Sequence, residues 1–363
     1  TTLGADARAR WVGTKEDNLD ADTGKPLGPT EGRINDVGGV VSPYAQQTYS
    51  PTSWLDLNAG ARLDMDSRYS PEISPRGAVG VRPFDRTTFK VIYSQAFRAP
   101  TLSETSIVDY TVAPSPGLGP ETVRSLEASV EQSFATQRVV FGVFRTWWDG
   151  LVQSQPVAIA ELSMLQATHQ EPLIVGNLIQ YANVAAIDNY GWNGGWEGSL
   201  DERRLRYGAN ATGAFTRLEQ GGASLYPAIA PQIFGNAHVG YALGPSLPTA
   251  TLAVYGMGPR AADRTSTLGA TLPAAPGMAD LRLALTGRFP HLRGIGYAAT
   301  ADYVTASSGP YVAGPSLSSL QRVLAATGNE LPTPGFAPID QFRVMIGLRF
   351  DFLNGPSSNG EAQ

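Results

Sequence analysis

Three histidines, His169, His238 and His291, are the first candidates for chemistry, and no two share the close spacing of a metal-binding pair. His238 falls on the polar side of an alternating segment, where a solvated side chain is expected. His169 lies in a long connection, open either to water or to a ligand. A Ser-His-Asp centre on a hydrolase sheet would need a Gly-x-Ser-x-Gly elbow, and the chain contains none. The run Lys15-Glu-Asp-Asn-Leu-Asp-Ala-Asp-Thr-Gly24 offers hard oxygen ligands for calcium, but its glycine is out of place for an EF-hand and no bidentate glutamate falls in register. A solvated loop is the expectation there. No catalytic residue, metal ligand or cofactor is expected, and no ligand-binding residue is assigned.

Seven arginines repeat on polar strand faces: Arg62, Arg204, Arg206, Arg282, Arg288, Arg343 and Arg349. They could guide an anionic ligand, or pair with carboxylates such as Asp56, Asp64, Asp280, Glu127 and Glu197 on neighbouring strands. Pairing is the expectation for most of them. Ligand contacts belong more naturally to long loops on a rigid wall, where Tyr110, Tyr226, Tyr311 and Phe336 are aromatics suited to gripping a ligand.

The elements that must position these groups read as strands. In 54–64, Leu55, Leu57, Ala59, Ala61 and Leu63 alternate with Asp56, Asn58, Gly60, Arg62 and Asp64. In 280–289, Leu281, Leu283, Leu285 and Phe289 alternate with Asp280, Arg282, Thr286 and Arg288. The last strand sets Phe342, Val344, Ile346, Leu348, Phe350 and Phe352 against Arg343, Gly347, Arg349 and Asp351. Leu205, Tyr207, Ala209, Ala211 and Phe215 alternate likewise with Arg204, Arg206, Asn210, Thr212 and Thr216. A helical period of 3.6 would scatter these charges, whereas a period of 2 collects them on one side. Further candidates are 3–13, 37–50, 74–82, 88–97, 121–134, 138–152, 187–200, 232–243, 249–258 and 294–305, for about fourteen strands, many of the length that crosses a bilayer at a tilt.

The connections alternate in length. Tight turns at 51–53, 83–86, 135–137, 201–203, 244–248 and 290–293 fall between longer ones at 14–36, 65–73, 99–120, 153–186, 218–231, 259–278 and 306–340. Short periplasmic turns and long extracellular loops give an outer-membrane barrel this rhythm. Small residues on the apolar faces also suit an outward-facing lipid surface. So do aromatics near strand ends: Trp11, Tyr44, Trp54, Phe134, Trp147, Trp148, Tyr190, Trp192, Tyr303 and Phe352. The 40 glycines and 27 prolines fit many turns, the 16% charged residues and net charge of −5 give no nucleic-acid footprint, and the absence of cysteine removes thiolate sites. No apolar run is long enough for a membrane helix, and Thr1 is not followed by a signal-peptide pattern.

The phrase Tyr93-Ser-Gln-Ala-Phe-Arg-Ala-Pro-Thr-Leu-Ser-Glu104 resembles the mid-barrel signature of TonB-dependent receptors, outer-membrane proteins that import scarce nutrients. Other phrases resemble that family in order: Tyr44-Ala-Gln-Gln-Thr-Tyr49 with Pro51, Leu57-Asn-Ala-Gly-Ala-Arg-Leu-Asp64, Ser74-Pro-Arg-Gly77 and Pro120-Glu-Thr-Val-Arg-Ser-Leu-Glu127. Asn183-Val184 with Gly191 and Trp196-Glu197 follows, and then Leu331-Pro-Thr-Pro-Gly335.

The resemblance implies an all-β, transmembrane, antiparallel up-and-down barrel, with residues 1–352 supplying about fourteen of some 22 strands and 353–363 a tail. It implies an N-terminal plug upstream of Thr1, through which the TonB energy-transducing complex would act. Phe352 would then stand near the usual end of the barrel, with Leu353 to Gln363 beyond it. The implied role is uptake of a small ligand such as a ferric siderophore, cobalamin or sugar, in the outer membrane of a Gram-negative bacterium, with lipid as the other partner and no enzymatic step. Two other readings stay open: a self-contained pore of about fourteen strands, and a soluble β-rich binding protein.

Overall fold

The computed structural model describes residues 1–16, 31–106, 112–157, 179–220, 222–225, 231–244, 247–259, 277–289, 292, 294–305 and 342–350. Its strands are β1 (Thr2–Glu16), β2 (Glu31–Thr52), β3 (Leu55–Asp66), β4 (Glu72–Phe84), β5 (Thr87–Arg98), β6 (Val112–Ala113), β7 (Glu121–Ser133) and β8 (Gln137–Pro156). They continue with β9 (Ile179–Leu200), β10 (Leu205–Gln220), β11 (Ala223–Leu225), β12 (Ile233–Ala242), β13 (Thr249–Met257), β14 (Met278–Arg288), β15 (Ile295–Val304) and β16 (Phe342–Phe350). One short helix, α1 (Leu102–Ser106), follows β5.

Sixteen strands form one sheet, and all except β6 and β11 follow a single path in chain order. Each strand anticipated from alternation corresponds to one strand of that path. The ladders run antiparallel from β1 to β5 and from β10 to β16. Among the described residues β1 and β16 are the ends of the path and are not paired with each other. Several strands outrun their expected limits, most of all at the long loops: β2 begins at Glu31, β8 reaches Pro156 and β9 begins at Ile179. Backbone pairing continues there after side-chain alternation has faded, because the ladder itself satisfies the peptide groups.

The chain divides into two compact units. The first comprises Thr1–Ser129, Val143–Tyr190 and Thr216–Leu225. Its register places Tyr49, Leu57, Val79 and Val91 in one row across four strands. The opposite face carries Arg62 between Tyr44 and Ser74. The second unit comprises Val130–Gly142, Gly191–Phe215 and Tyr226–Gln363. There Val239, Leu252, Leu283, Ala301 and Val344 form an apolar row over five strands. The tight reversal from β9 to β10 holds Asp201, Glu202 and Arg203 all at positive φ.

The apolar faces lie open. Ile346 is 81% exposed and Leu252 52%. Among the described residues, the buried hydrophobics are Ala113, Leu118, Ala185 and Leu218 alone. A water-soluble protein cannot sustain two units with their apolar rows uncovered. A bilayer requires that arrangement, because acyl chains cover apolar side chains while inter-strand bonds satisfy the backbone. No helix among the described residues is long and apolar enough to cross a membrane, which says nothing of strands.

Two aromatics stand elsewhere than expected. Tyr44 is in mid-strand on the charged face, opposite Arg62 and against Gly4. Trp148 turns its indole to Glu121 on the charged side. Trp147 and Trp148 are consecutive in β8, so the pleat sends them to opposite faces and only one can belong to an interfacial girdle. Phe352 and the tail 353–363 lie outside the described residues.

Candidate functional site

Among the described residues, buried polar groups gather in the first unit where β5 ends and the connection to β7 begins, with Ser115 and Glu121 both buried. Arg98 closes β5, and Pro100 then ends the ladder because it has no amide hydrogen to donate. The Arg98 guanidinium reaches Glu121, the first residue of β7, through Nε at 2.8 Å and Nη2 at 2.5 Å. Its Nη1 donates to Glu104 of α1 at 3.1 Å. The Glu121 side chain is 1% exposed and has two further donors, the Trp148 indole at 3.1 Å and the Val152 amide at 2.7 Å. Four donors on one buried carboxylate are enough to offset the cost of removing it from water.

Glu104 sits there because Thr101-Leu-Ser-Glu104 is a capping box. The Glu104 amide donates to the Thr101 hydroxyl, and the Thr101 amide donates back to the Glu104 carboxylate at 2.8 Å. Burial pushes the Glu104 carboxyl up, but the bonds from Arg98 and Thr101 outweigh it, so its pKa lies below the ordinary carboxylate value. Sequence reading passed over this helix. The Thr-x-x-Glu spacing was its signal, hidden because the segment looked only like a loop.

The rest of the connection folds back on the strands. β6 pairs in parallel with the start of β9. The Ser115 hydroxyl accepts from the Tyr181 amide, and the Gln180 side-chain amide donates to the Pro114 carbonyl. Asn183 spans the gap, accepting from the Gly119 amide at 2.9 Å and donating to the Gly119 and Gly150 carbonyls. Gly150 can present its carbonyl this way because its φ is +68°, a left-handed conformation that costs glycine little. Within this loop Ala113, at 0% exposure, and Leu118 are buried. Phe97-Arg98, Pro120-Glu121 and Asn183, phrases far apart in sequence, therefore meet in one fastening.

These groups are already bonded to one another, so the arrangement holds a chain segment in place. Beside it, Arg68 donates to the Pro100 carbonyl at 3.2 Å, and the Tyr69 and Phe97 rings meet edge-on with centroids 5.8 Å apart.

Of the seven expected arginines, Arg62, Arg204, Arg282 and Arg343 are in ion pairs, that of Arg204 being with Asp201 at 3.9 Å. In the first unit Arg62 bridges Asp6 at 2.7 Å and Asp64 at 3.0 Å, and Arg82 holds Asp56. In the second, Arg282 and Arg343 both bind Asp302, and Arg138 takes Glu131 and Glu197. Arg204 donates to the Ala242 and Leu243 carbonyls and lies 5.3 Å from the centroid of the Tyr241 ring. Arg288 and Arg349 are engaged as well. Glu127 accepts from the Ser125 hydroxyl. Arg206 has no ion-pair partner among the described residues and lines a hollow with His238. The His238 ring is exposed and lies over Gly208. His169, His291, Tyr110, Tyr226, Tyr311, Phe336, most of the acidic run and Leu331 to Gly335 lie outside the described residues.

No curated protein matches the sequence at a significant level. Solved structures do match. A siderophore receptor, PirA from Acinetobacter baumannii, aligns with a TM-score of 0.59 at 14% identity, over 83% of this chain and 47% of its own. A point variant of the ferric enterobactin receptor from Pseudomonas aeruginosa gives 0.58 at 16%, over 83% and 45%. The FrpB iron transporter from Neisseria meningitidis gives 0.58 at 12%, over 74% and 41%. At these identities the likeness concerns the fold, and this chain spans less than half the length of each of these proteins. The family model for the TonB dependent receptor-like β-barrel matches residues 1–340, and the chain belongs to that family.

Proposed function

We propose that this chain forms wall strands of a Gram-negative outer-membrane receptor that imports a ferric siderophore or a chemically similar scarce chelate. The observation that carries the reading is the family match over residues 1–340. Apolar rows open to a bilayer on one face and ion pairs on the other agree with it. The iron and siderophore receptors among the structural neighbours favour an iron chelate over cobalamin or a sugar. Release into the periplasm needs a plug moved by the TonB complex, so that complex is the expected protein partner. The charged face lines the aqueous path and the apolar face meets lipid. The fastened loop after β5 gives the ligand-facing end a rigid rim.

The test is uptake of radio-iron by cells carrying the whole receptor, offered a panel of ferric chelates with and without a protonophore. One chelate should be accumulated, and the protonophore should abolish accumulation. Equal entry in de-energised cells would mean a passive pore. No dependence on the receptor for any chelate would end the iron reading.

A further inference from the structure

In the first unit the apolar side of the sheet carries charge at one level only, toward the long loops. In β5 Val91 belongs to the apolar row, and Gln95, four residues on, shares its face. In β7 Arg124 and Leu126, the latter 43% exposed, stand on the side opposite Glu121. In β8 the Trp148 indole turns to Glu121, so Arg145, Trp147 and Asp149 face the other way, in line with Val143. In β9 Asn189 bonds to Thr216 on the charged face, which leaves Asp188 and Tyr190 on the apolar one.

These groups bind one another from strand to strand. The Gln95 side-chain amide donates to the Ile73 carbonyl at 3.0 Å, and its oxygen accepts from Arg124 Nε at 3.3 Å. Arg124 Nη1 reaches Asp149 at 2.7 Å. Arg145 holds Asp188 with Nε and Nη2, each at 3.0 Å, and its guanidinium lies 4.8 Å from the centroid of the Trp147 ring. Arg124, Asp149 and Arg145 remain about half exposed. Nη2 of Arg124 and Nη1 of Arg145 make no hydrogen bond among the described residues.

A guanidinium turned toward lipid is costly at the middle of a bilayer and nearly free at its surface. Tryptophan and tyrosine collect at that same level. Gln95 is about eight residues from the tight-turn end of β5 at Thr87, roughly 20 Å along the membrane normal at about 3.3 Å per residue and a tilt of about 40°. The apolar band of a barrel is about 25 Å tall, so the polar row falls close to its outer edge and far from its middle. We infer that Gln95, the Arg124–Asp149 and Arg145–Asp188 pairs and Trp147 are the contact between this wall and the lipid headgroups of the outer leaflet, and that the pairs fix where hydrocarbon ends. The spare guanidinium donors meet headgroup phosphates. Beyond that level β8 runs on to Pro156 and β9 begins at Ile179, so these strand ends and the fastened loop stand in water. Val184 is the sharp case: it is apolar, 39% exposed and on the face of Asp188, yet it lies beyond the pairs and belongs to water. This inference rests on the receptor reading, since it needs the apolar face to lie in a bilayer.

The experiment places the whole receptor in phosphatidylcholine vesicles, with one nitroxide label at a time on Val91→Cys, Val143→Cys, Trp147→Cys or Val184→Cys. Collisions of each label with oxygen and with a water-soluble nickel chelate give its depth, and heat-dependent gel mobility verifies that each variant is folded. Labels at 91 and 143 should meet oxygen and hardly any nickel. The label at 147 should meet both and broaden the lipid phosphorus resonance. The label at 184 should meet nickel roughly ten-fold more often than the label at 143, since a polar chelate is excluded from hydrocarbon. Adding Arg145→Leu and Asp188→Leu should draw the label at 147 into lipid and cut its nickel collisions several-fold. A lipid-embedded label at 184, a sharp phosphorus signal with the label at 147, or no effect of the leucine pair overturns the inference and leaves the receptor reading intact. Free nickel access at 91 and 143 would count against the apolar face lying in lipid, and the receptor reading would fall together with the inference.

Discussion

Replacing Arg98 with methionine tests the fastening after β5 most directly. The change removes both guanidinium bonds to Glu121 and the bridge to Glu104, leaving Glu121 with the Trp148 indole and the Val152 amide. Breaking a buried pair while stranding its partner costs about 3–5 kcal/mol. The Arg98 side chain is 40% exposed, so water already shares it and the lower end applies, about 3 kcal/mol. Loop docking should weaken about a hundred-fold. Hydrogen exchange reads this locally. The Ser115 amide donates to the Thr105 carbonyl and the Gly119 amide to Asn183, and both should lose protection by that factor in Arg98→Met. The amides of β3 and β4 should not change. Adding Glu121→Gln should recover part of the loss, since no buried charge is then left unpaired. Unchanged protection at Ser115 and Gly119 would refute the reasoning, as would equal loss across the whole sheet.

Folding lowers the Glu104 pKa, so its contribution is complete above the ordinary carboxylate value and disappears as pH falls through the depressed one. Acid should therefore fray α1, read as faster exchange at the Thr105 amide, and Glu104→Gln should remove that part of the pH dependence. Gly150→Ala places a Cβ 3.7 Å from its nearest neighbours, an ordinary contact, so only the left-handed backbone is penalised, by about 1–2 kcal/mol. Protection of the Gly119 amide should fall roughly ten-fold in that variant. Single cysteines at Leu281, Leu283, Ile346 and Leu348 should react with a lipid-phase probe, whereas cysteine in place of Arg282 should react only with an aqueous one. The reverse pattern would turn the wall inside out.

The strands were legible because a period of 2 is a local property. The alternation of Leu281, Leu283 and Leu285 with Asp280 and Arg282 needs no knowledge of neighbours. Register was not legible. Nothing within β5 says that Arg98 will meet Glu121, and nothing within β14 says that Arg282 will choose Asp302 over Asp280 two residues away. Long strands were underestimated at β2, β8 and β9 because hydrogen bonding extends past the alternation that reveals it. Trp148 and Tyr44 were assigned to a girdle from residue type and an expected place near a strand end, and the pleat and register decided otherwise.

Sequence by itself determined the fourteen strands of the main path, their order, the two chemically distinct faces and the kinship of the scattered phrases. These follow from side-chain type and spacing along a single chain. Tertiary structure alone decided which carboxylate each guanidinium reaches, that the connection after β5 is a folded and fastened element, and that Arg124 and Arg145 find their carboxylates on the apolar side. Such outcomes depend on which residues different strands bring side by side, and the pairing energy is distributed over the ladder and written in no one segment.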